Sequence, residues 1–156
     1  MARHARTDIN GVLLEHGFVD YGAGQLTVVD DFNLTPYQWK WNGAAWVSFT
    51  PAPTPQQVAA GKIANGIAIT STGTPALNST YAIDPVSQQH VASVSTYISV
   101  NAKFPAAQTT LNWHDINGVI HAFQTTAQFQ AFATACADVV YQIVQGGSPT
   151  QSGTIP

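Results

Sequence analysis

The sequence predicts an α+β protein: an N-terminal antiparallel β-module, then a C-terminal module with a small antiparallel sheet and two or three packed helices. Three observations predict it. Asn-Gly occurs at positions 10, 42, 65 and 117, and at three of the four it lies between apolar or alternating runs, as hairpin turns do. The stretch Pro51-Ala52-Pro53-Thr54-Pro55 has too few backbone donors for a sheet ladder or a helix interior, so it divides the chain. Helical spacing with explicit start signals appears only after that divide. The resulting plan is a β-rich module over residues 1–50, a connector over 51–55, an α+β domain over 56–147 and an extended tail over 148–156.

In the first module, Val12-Leu13-Leu14 and Leu26-Thr27-Val28-Val29 are short strand candidates, separated by Tyr21-Gly22-Ala23-Gly24. A Trp-rich hairpin follows, from Tyr37 to Val47. A two-residue turn at Asn42-Gly43 sets Trp41 opposite Ala44 and Trp39 opposite Trp46. Period-2 alternation then gathers Tyr37, Trp39, Trp41 and Trp46 on one face. Such a face is either the core of a small module or a partner interface, or else a platform that stacks on a ligand such as a sugar. Exposure of Trp39 and Trp46 separates the two.

Beyond the connector, Thr54 caps a short helix with Pro55 at its first position, running to about Lys62. Ile67-Ala68-Ile69-Thr70 reads as a strand, and Ala76 to Ile83 holds another. Asp84-Pro85 is a helix start: an aspartate cap, then a proline where a missing N–H does no harm. Val91, Val94, Ile98 and Ala102 recur at helical spacing, and Pro105 closes the helix. A second hairpin turns at Asn117-Gly118. The last helix starts near Thr125, with Gln128 completing a capping box. It lines Phe129, Phe132, Ala133, Cys136, Val140 and Ile143 along one side and stops at Gly146-Gly147. The pentapeptide Asp-Ile-Asn-Gly-Val occurs twice, at 8–12 and 115–119, between unrelated flanks. Shared turn chemistry accounts for it better than a duplicated domain.

Composition narrows the function. Charged residues make up 8% of the chain against about 25% in an ordinary domain. A surface so poor in charge repels its own copies weakly, which points to life inside an assembly. Five basic residues and a net charge of -3 cannot build a face for a phosphate backbone, so no nucleic acid partner is expected. No run approaches the about 20 apolar residues of a membrane span. The single cysteine, Cys136, leaves no internal disulfide, and on the apolar side of a helix it is a small hydrophobe.

Chemistry-bearing clusters are few. With a two-residue turn at Asn117-Gly118, His114 falls opposite His121, but Asp115 then points to the other face and no third metal ligand is at hand, so no metal is expected. Asp20, Asp30 and Asp31 lack the alternating oxygen spacing of a calcium loop. Nucleophile elbow, Walker loop and His-Glu-x-x-His are all missing, and Glu15 is the only glutamate. Neither cofactor nor enzymatic activity is expected.

From about Ile67 onward the chain resembles a known family. Ala76-Leu77-Asn78-Ser79-Thr80-Tyr81-Ala82-Ile83-Asp84 is similar to a segment in the C-terminal domain of bacteriophage tail-fibre-associated, tail-fibre assembly-like proteins. The helix after Asp84-Pro85 continues the pattern. So do the strand-turn-strand from Trp113 to Phe123 and Phe129, Phe132 and Ala133 in the closing helix. Ser79 stands where glycine is common. The resemblance covers roughly half the chain and brings no catalytic residue with it. It implies a virion tail protein, made in the host cytoplasm and contacting other tail proteins as a homo-oligomer or in a hetero-assembly. A tail-fibre assembly chaperone and a receptor-binding module that uses the Trp face on a host-surface glycan are the alternatives.

Overall fold

The computed structural model describes residues 3–17, 26–28, 36–147 and 150–156. Asp20, Asp30, Asp31 and the Tyr21-Gly22-Ala23-Gly24 stretch lie outside them. The chain is α+β and forms two compact units, Met1–Pro53 and Thr54–Pro156.

In the first unit, β1 (Arg3–Thr7) pairs antiparallel with both β2 (Leu13–Gly17) and β3 (Leu26–Val28), giving the order β2-β1-β3. β4 (Trp39–Trp41) and β5 (Trp46–Ser48) form a separate hairpin. Buried Ala5 and Leu13 make a small core, with Trp39 and Trp46 packed against it.

The second unit holds the main core. Its sheet has the order β10-β6-β7, where β6 is Ile67–Ser71, β7 is Ser79–Tyr81 and β10 is Ser152–Ile155. β8 (Leu111–His114) and β9 (Ile120–Phe123) form a second hairpin. Among the described residues the unit has three α-helices, α1 (Pro55–Ala64), α2 (Pro85–Asn101) and α3 (Thr126–Val144); α3 packs on β10, β6 and β9, and α1 and α2 pack on α3. Each begins on a side-chain cap. Thr54 with Gln57 and Thr125 with Gln128 are reciprocal capping boxes, and the Asp84 carboxylate accepts the N–H groups of Val86 and Ser87. The amphipathic face of α3 buries Phe129, Phe132, Cys136, Val139 and Ile143.

The C-terminal segment departs from the sequence reading. Residues 152–155 are no free tail: they pair with β6 in parallel, so the sheet is mixed rather than wholly antiparallel. Ile155 is buried, and Ser71 Oγ donates to Pro156 O at 2.8 Å. A Gly/Ser/Thr/Pro composition conceals a strand whose pairing comes from main-chain groups and one aliphatic anchor.

Both Asp-Ile-Asn-Gly-Val segments fold into the same turn. In each, the aspartate N–H donates to the valine carbonyl at 2.9 Å and the glycine N–H donates to the aspartate carbonyl at 3.0 Å. The aspartate Oδ1 accepts the asparagine and valine N–H groups, all four bonds at 2.8 Å. Gly11 and Gly118 sit at φ +80° and +81°. This is a three-residue loop closed by an Asp–Val pair, not the two-residue turn that Asn-Gly alone predicts. The carboxylate two residues upstream of the asparagine supplies two acceptor bonds that a two-residue turn leaves unused.

The shared backbone yields a prediction, because the surroundings differ. A Cβ on Gly118 meets open space, whereas on Gly11 it would stand 2.9 Å from the Trp41 carbonyl oxygen. Gly118→Ala should cost about 1–2 kcal/mol, the penalty of a left-handed alanine. Gly11→Ala should cost its own unit clearly more. Urea unfolding of both variants, read unit by unit, checks this; equal losses would contradict it.

Candidate functional site

The Trp hairpin is not registered as the sequence predicts. Trp41 pairs with Trp46, Lys40 with Val47 and Trp39 with Ser48, leaving a four-residue loop over 42–45. The Asn42 side chain explains the longer loop, since its Oδ1 accepts the N–H groups of Ala44 at 3.0 Å and Ala45 at 2.8 Å. The shift is two positions in register sum, so Trp39, Trp41 and Trp46 still share a face. The Trp41 and Trp46 rings meet edge to face at 5.6 Å.

Tyr37 leaves that face. It lies before β4 with φ +63° and is exposed, while its N–H donates to the Leu13 carbonyl at 2.8 Å. Alternation ends where the backbone turns left-handed, so the four aromatics do not form one flat platform. Trp39 and Trp46 are half-buried against Ala5 and Leu13. Trp46 Nε1 is buried and, among the described residues, has no hydrogen-bond partner.

The second hairpin overturns the facing-histidine geometry. Trp113 pairs with His121 and His114 with Ile120. The three-residue loop moves the register sum by one, and an odd shift sends His114 and His121 to opposite faces. The same shift brings Asp115 to the His121 side, where the two-residue turn had excluded it. Among the described residues, no three His, Cys, Asp or Glu side chains are grouped to hold a metal ion.

What the loop assembles instead is a cluster that sequence reading missed. Ser79 Oγ on β7 donates to Asp115 Oδ2 at 2.6 Å, and His121 Nε2 lies 3.3 Å from the same oxygen. His121 Nδ1 donates to the Ala76 carbonyl at 2.6 Å. The Ile116 N–H donates to the Thr80 carbonyl at 2.9 Å. The Ser79 hydroxyl foremost, with the Val119 and Asn117 N–H groups and the His121 ring, outweighs the opposing effect of burial and holds the Asp115 carboxyl at about 2, below its ordinary 3.8. The Asp-Ile-Asn-Gly-Val repeat signalled the turn that Asp115 closes, but not its Ser79 and His121 partners.

The order of groups defines what this cluster does. Nucleophilic catalysis sets histidine between serine and carboxylate, so that the imidazole takes the hydroxyl proton. Here the carboxylate lies between, and Ser79 gives its hydrogen bond to it. The cluster therefore locks the β8–β9 turn onto β7 and the Pro75–Leu77 turn.

Cys136 is buried, and burial pushes its thiol up to about 12, so it stays protonated and unreactive near neutral pH. A groove of about 590 Å³ runs between α2 and α3, lined by Val91, Ser95, Ala137, Val140, Tyr141 and Val144 among others. Gln130 spans the two helices through Ser95 and Ser99. No helix among the described residues is long and apolar enough to cross a membrane.

No family model, curated protein or solved structure matches the chain.

Proposed function

We propose that this chain is a non-enzymatic structural component of a bacteriophage tail, at the tail tip, fibre or spike, working through protein–protein contacts. The observation that carries the reading is the surface of the second unit. Val100, Val119, Ile120, Tyr141 and Val144 are each more than half exposed, in a chain with five basic and eight acidic residues. Large apolar side chains on a surface so poor in charge favour burial against another protein.

The sheet edges add to this. On β7 the outward Thr80 carbonyl is taken by Ile116. Gln151, just before β10, and Ile155 on it turn their carbonyls toward β6, which points the backbone of Thr154 outward; among the described residues it meets no partner there. An open edge accepts an added strand. The Trp hairpin favours assembly over glycan binding, because Trp39 and Trp46 help form the small core of their unit.

Peptide mass spectrometry of mature particles tests the proposal, paired with sedimentation of the purified chain. A stoichiometric virion component that self-associates is the expected result. A stable monomer missing from particles would assign the chain to the assembly chaperones instead.

A further inference from the structure

The four Asn-Gly pairs share one local sequence and differ in what their atoms touch. Succinimide formation at Asn-Gly needs the glycine nitrogen as nucleophile and the asparagine Cγ as electrophile. At three sites the nucleophile is engaged: Gly11 N–H donates to the Asp8 carbonyl at 3.0 Å, Gly118 N–H to the Asp115 carbonyl at 3.0 Å and Gly66 N–H to the Ile63 carbonyl at 3.1 Å. Gly43 N–H makes no hydrogen bond among the described residues. Nothing lies within 4 Å of a Cβ built there, and the loop from Asn42 to Ala45 is exposed, so water and base have access.

The electrophile at this site is also prepared. Negative charge develops on Oδ1 when Cγ becomes tetrahedral. Asn42 Oδ1 already accepts the Ala44 and Ala45 N–H groups, two donors set where the oxyanion forms. Among the described residues, neither Asn10 nor Asn117 has such a pair of donors on its side-chain oxygen.

We infer that Asn42 is a site of spontaneous backbone modification, converting through a succinimide to aspartate and isoaspartate. Solvent base removes the Gly43 N–H proton, and the nitrogen forms a bond to Asn42 Cγ. The Cγ–Nδ2 bond then breaks and Nδ2, taking up a proton, leaves as ammonia. Water opens the five-membered ring at either carbonyl. Attack at the side-chain carbonyl leaves an ordinary aspartate, and attack at the main-chain carbonyl leaves the β-linked residue. No electrons are exchanged. The β-linked product adds a methylene to the loop that joins Trp41 to Trp46, where the Asn42 N–H now donates to the Ala45 carbonyl at 3.1 Å.

The test is incubation of the full-length folded protein in mildly alkaline buffer at physiological temperature, with peptide mapping of all four sites. Asn42 should convert about tenfold faster than Asn10 or Asn117, the worth of one hydrogen bond on the nucleophile. In denaturant the advantage should vanish. Equal folded-state rates would overturn the inference, as would an Asn42 preference that survives unfolding. Asn42→Asp should remove most of the acidic species that accumulate by isoelectric focusing; their undiminished appearance in that variant would also overturn it.

Discussion

Replacing Phe132 by alanine is expected to lower the stability of the Thr54–Pro156 unit by about 3–5 kcal/mol, the range for emptying a buried aromatic site. Phe132 is fully buried, and its ring lies 5.0 Å from Tyr81, 5.2 Å from Phe123, 5.5 Å from Phe129 and 6.3 Å from Trp113. One deletion therefore removes edge-to-face and tilted contacts to β7, β8, β9 and α3 together. The surroundings cannot close the gap, because Tyr81 is fixed by its hydroxyl donating to the Leu77 carbonyl at 2.9 Å. A domain of this size has about 5–15 kcal/mol in all, so the variant should be marginal. Denaturant unfolding should show the loss, with Cys136→Ala, a smaller deletion from the same core, as comparison. A loss below about 1 kcal/mol, far under the range for such a deletion, would mean that the aromatic cluster does not hold the unit together.

Asp115→Ala should have the second largest effect, a fall of several degrees in the melting temperature of the same unit. The substitution strands the N–H groups of Asn117 and Val119, frees the Ser79 hydroxyl and deprives His121 of its carboxylate. The matched Asp8→Ala should cost its unit less, since among the described residues Asp8 carries the two loop bonds without a serine and histidine behind it. The pH dependence has a definite sign. The folded carboxyl titrates near 2 and the unfolded one near its ordinary 3.8. On acidification the unfolded chain therefore binds the proton first. The stabilisation is complete above about pH 4 to 5 and disappears as the pH falls through about 2. The stability difference between wild type and Asp115→Asn should shrink over that window. A difference that stays constant to the acid end would rule out the assigned role of the carboxylate.

Local features were legible in the sequence, and pairings across space were not. The caps at Thr54, Asp84 and Thr125 are set by residues within three positions, so short-range chemistry suffices to place the helices. The buried face of α3 follows from its spacing for the same reason, except that Val139, not the expected Val140, is the buried valine. The hairpin registers failed because one side chain outside the Asn-Gly dipeptide, or the asparagine itself, lengthens each loop. At Asp115 the added residue changed parity and rearranged every side-chain neighbour. At Asn42 the longer loop kept parity, so the tryptophan face survived a wrong pairing. β1 was missed because, among its described side chains, Ala5 alone lies in the small core, and β10 because its Ser-Gly-Thr-Ile composition resembles a linker. The Ser79–Asp115–His121 cluster joins β7 to β9 through a loop, and no spacing rule connects those positions.

The proposed function depends on where the chain resides. Quantitative mass spectrometry of purified mature particles measures this most directly. Peptides from both units are expected in fixed proportion to the other tail proteins, retained after high-salt washing. Particles that lack the chain while infected-cell lysates contain it would contradict a structural role in the tail.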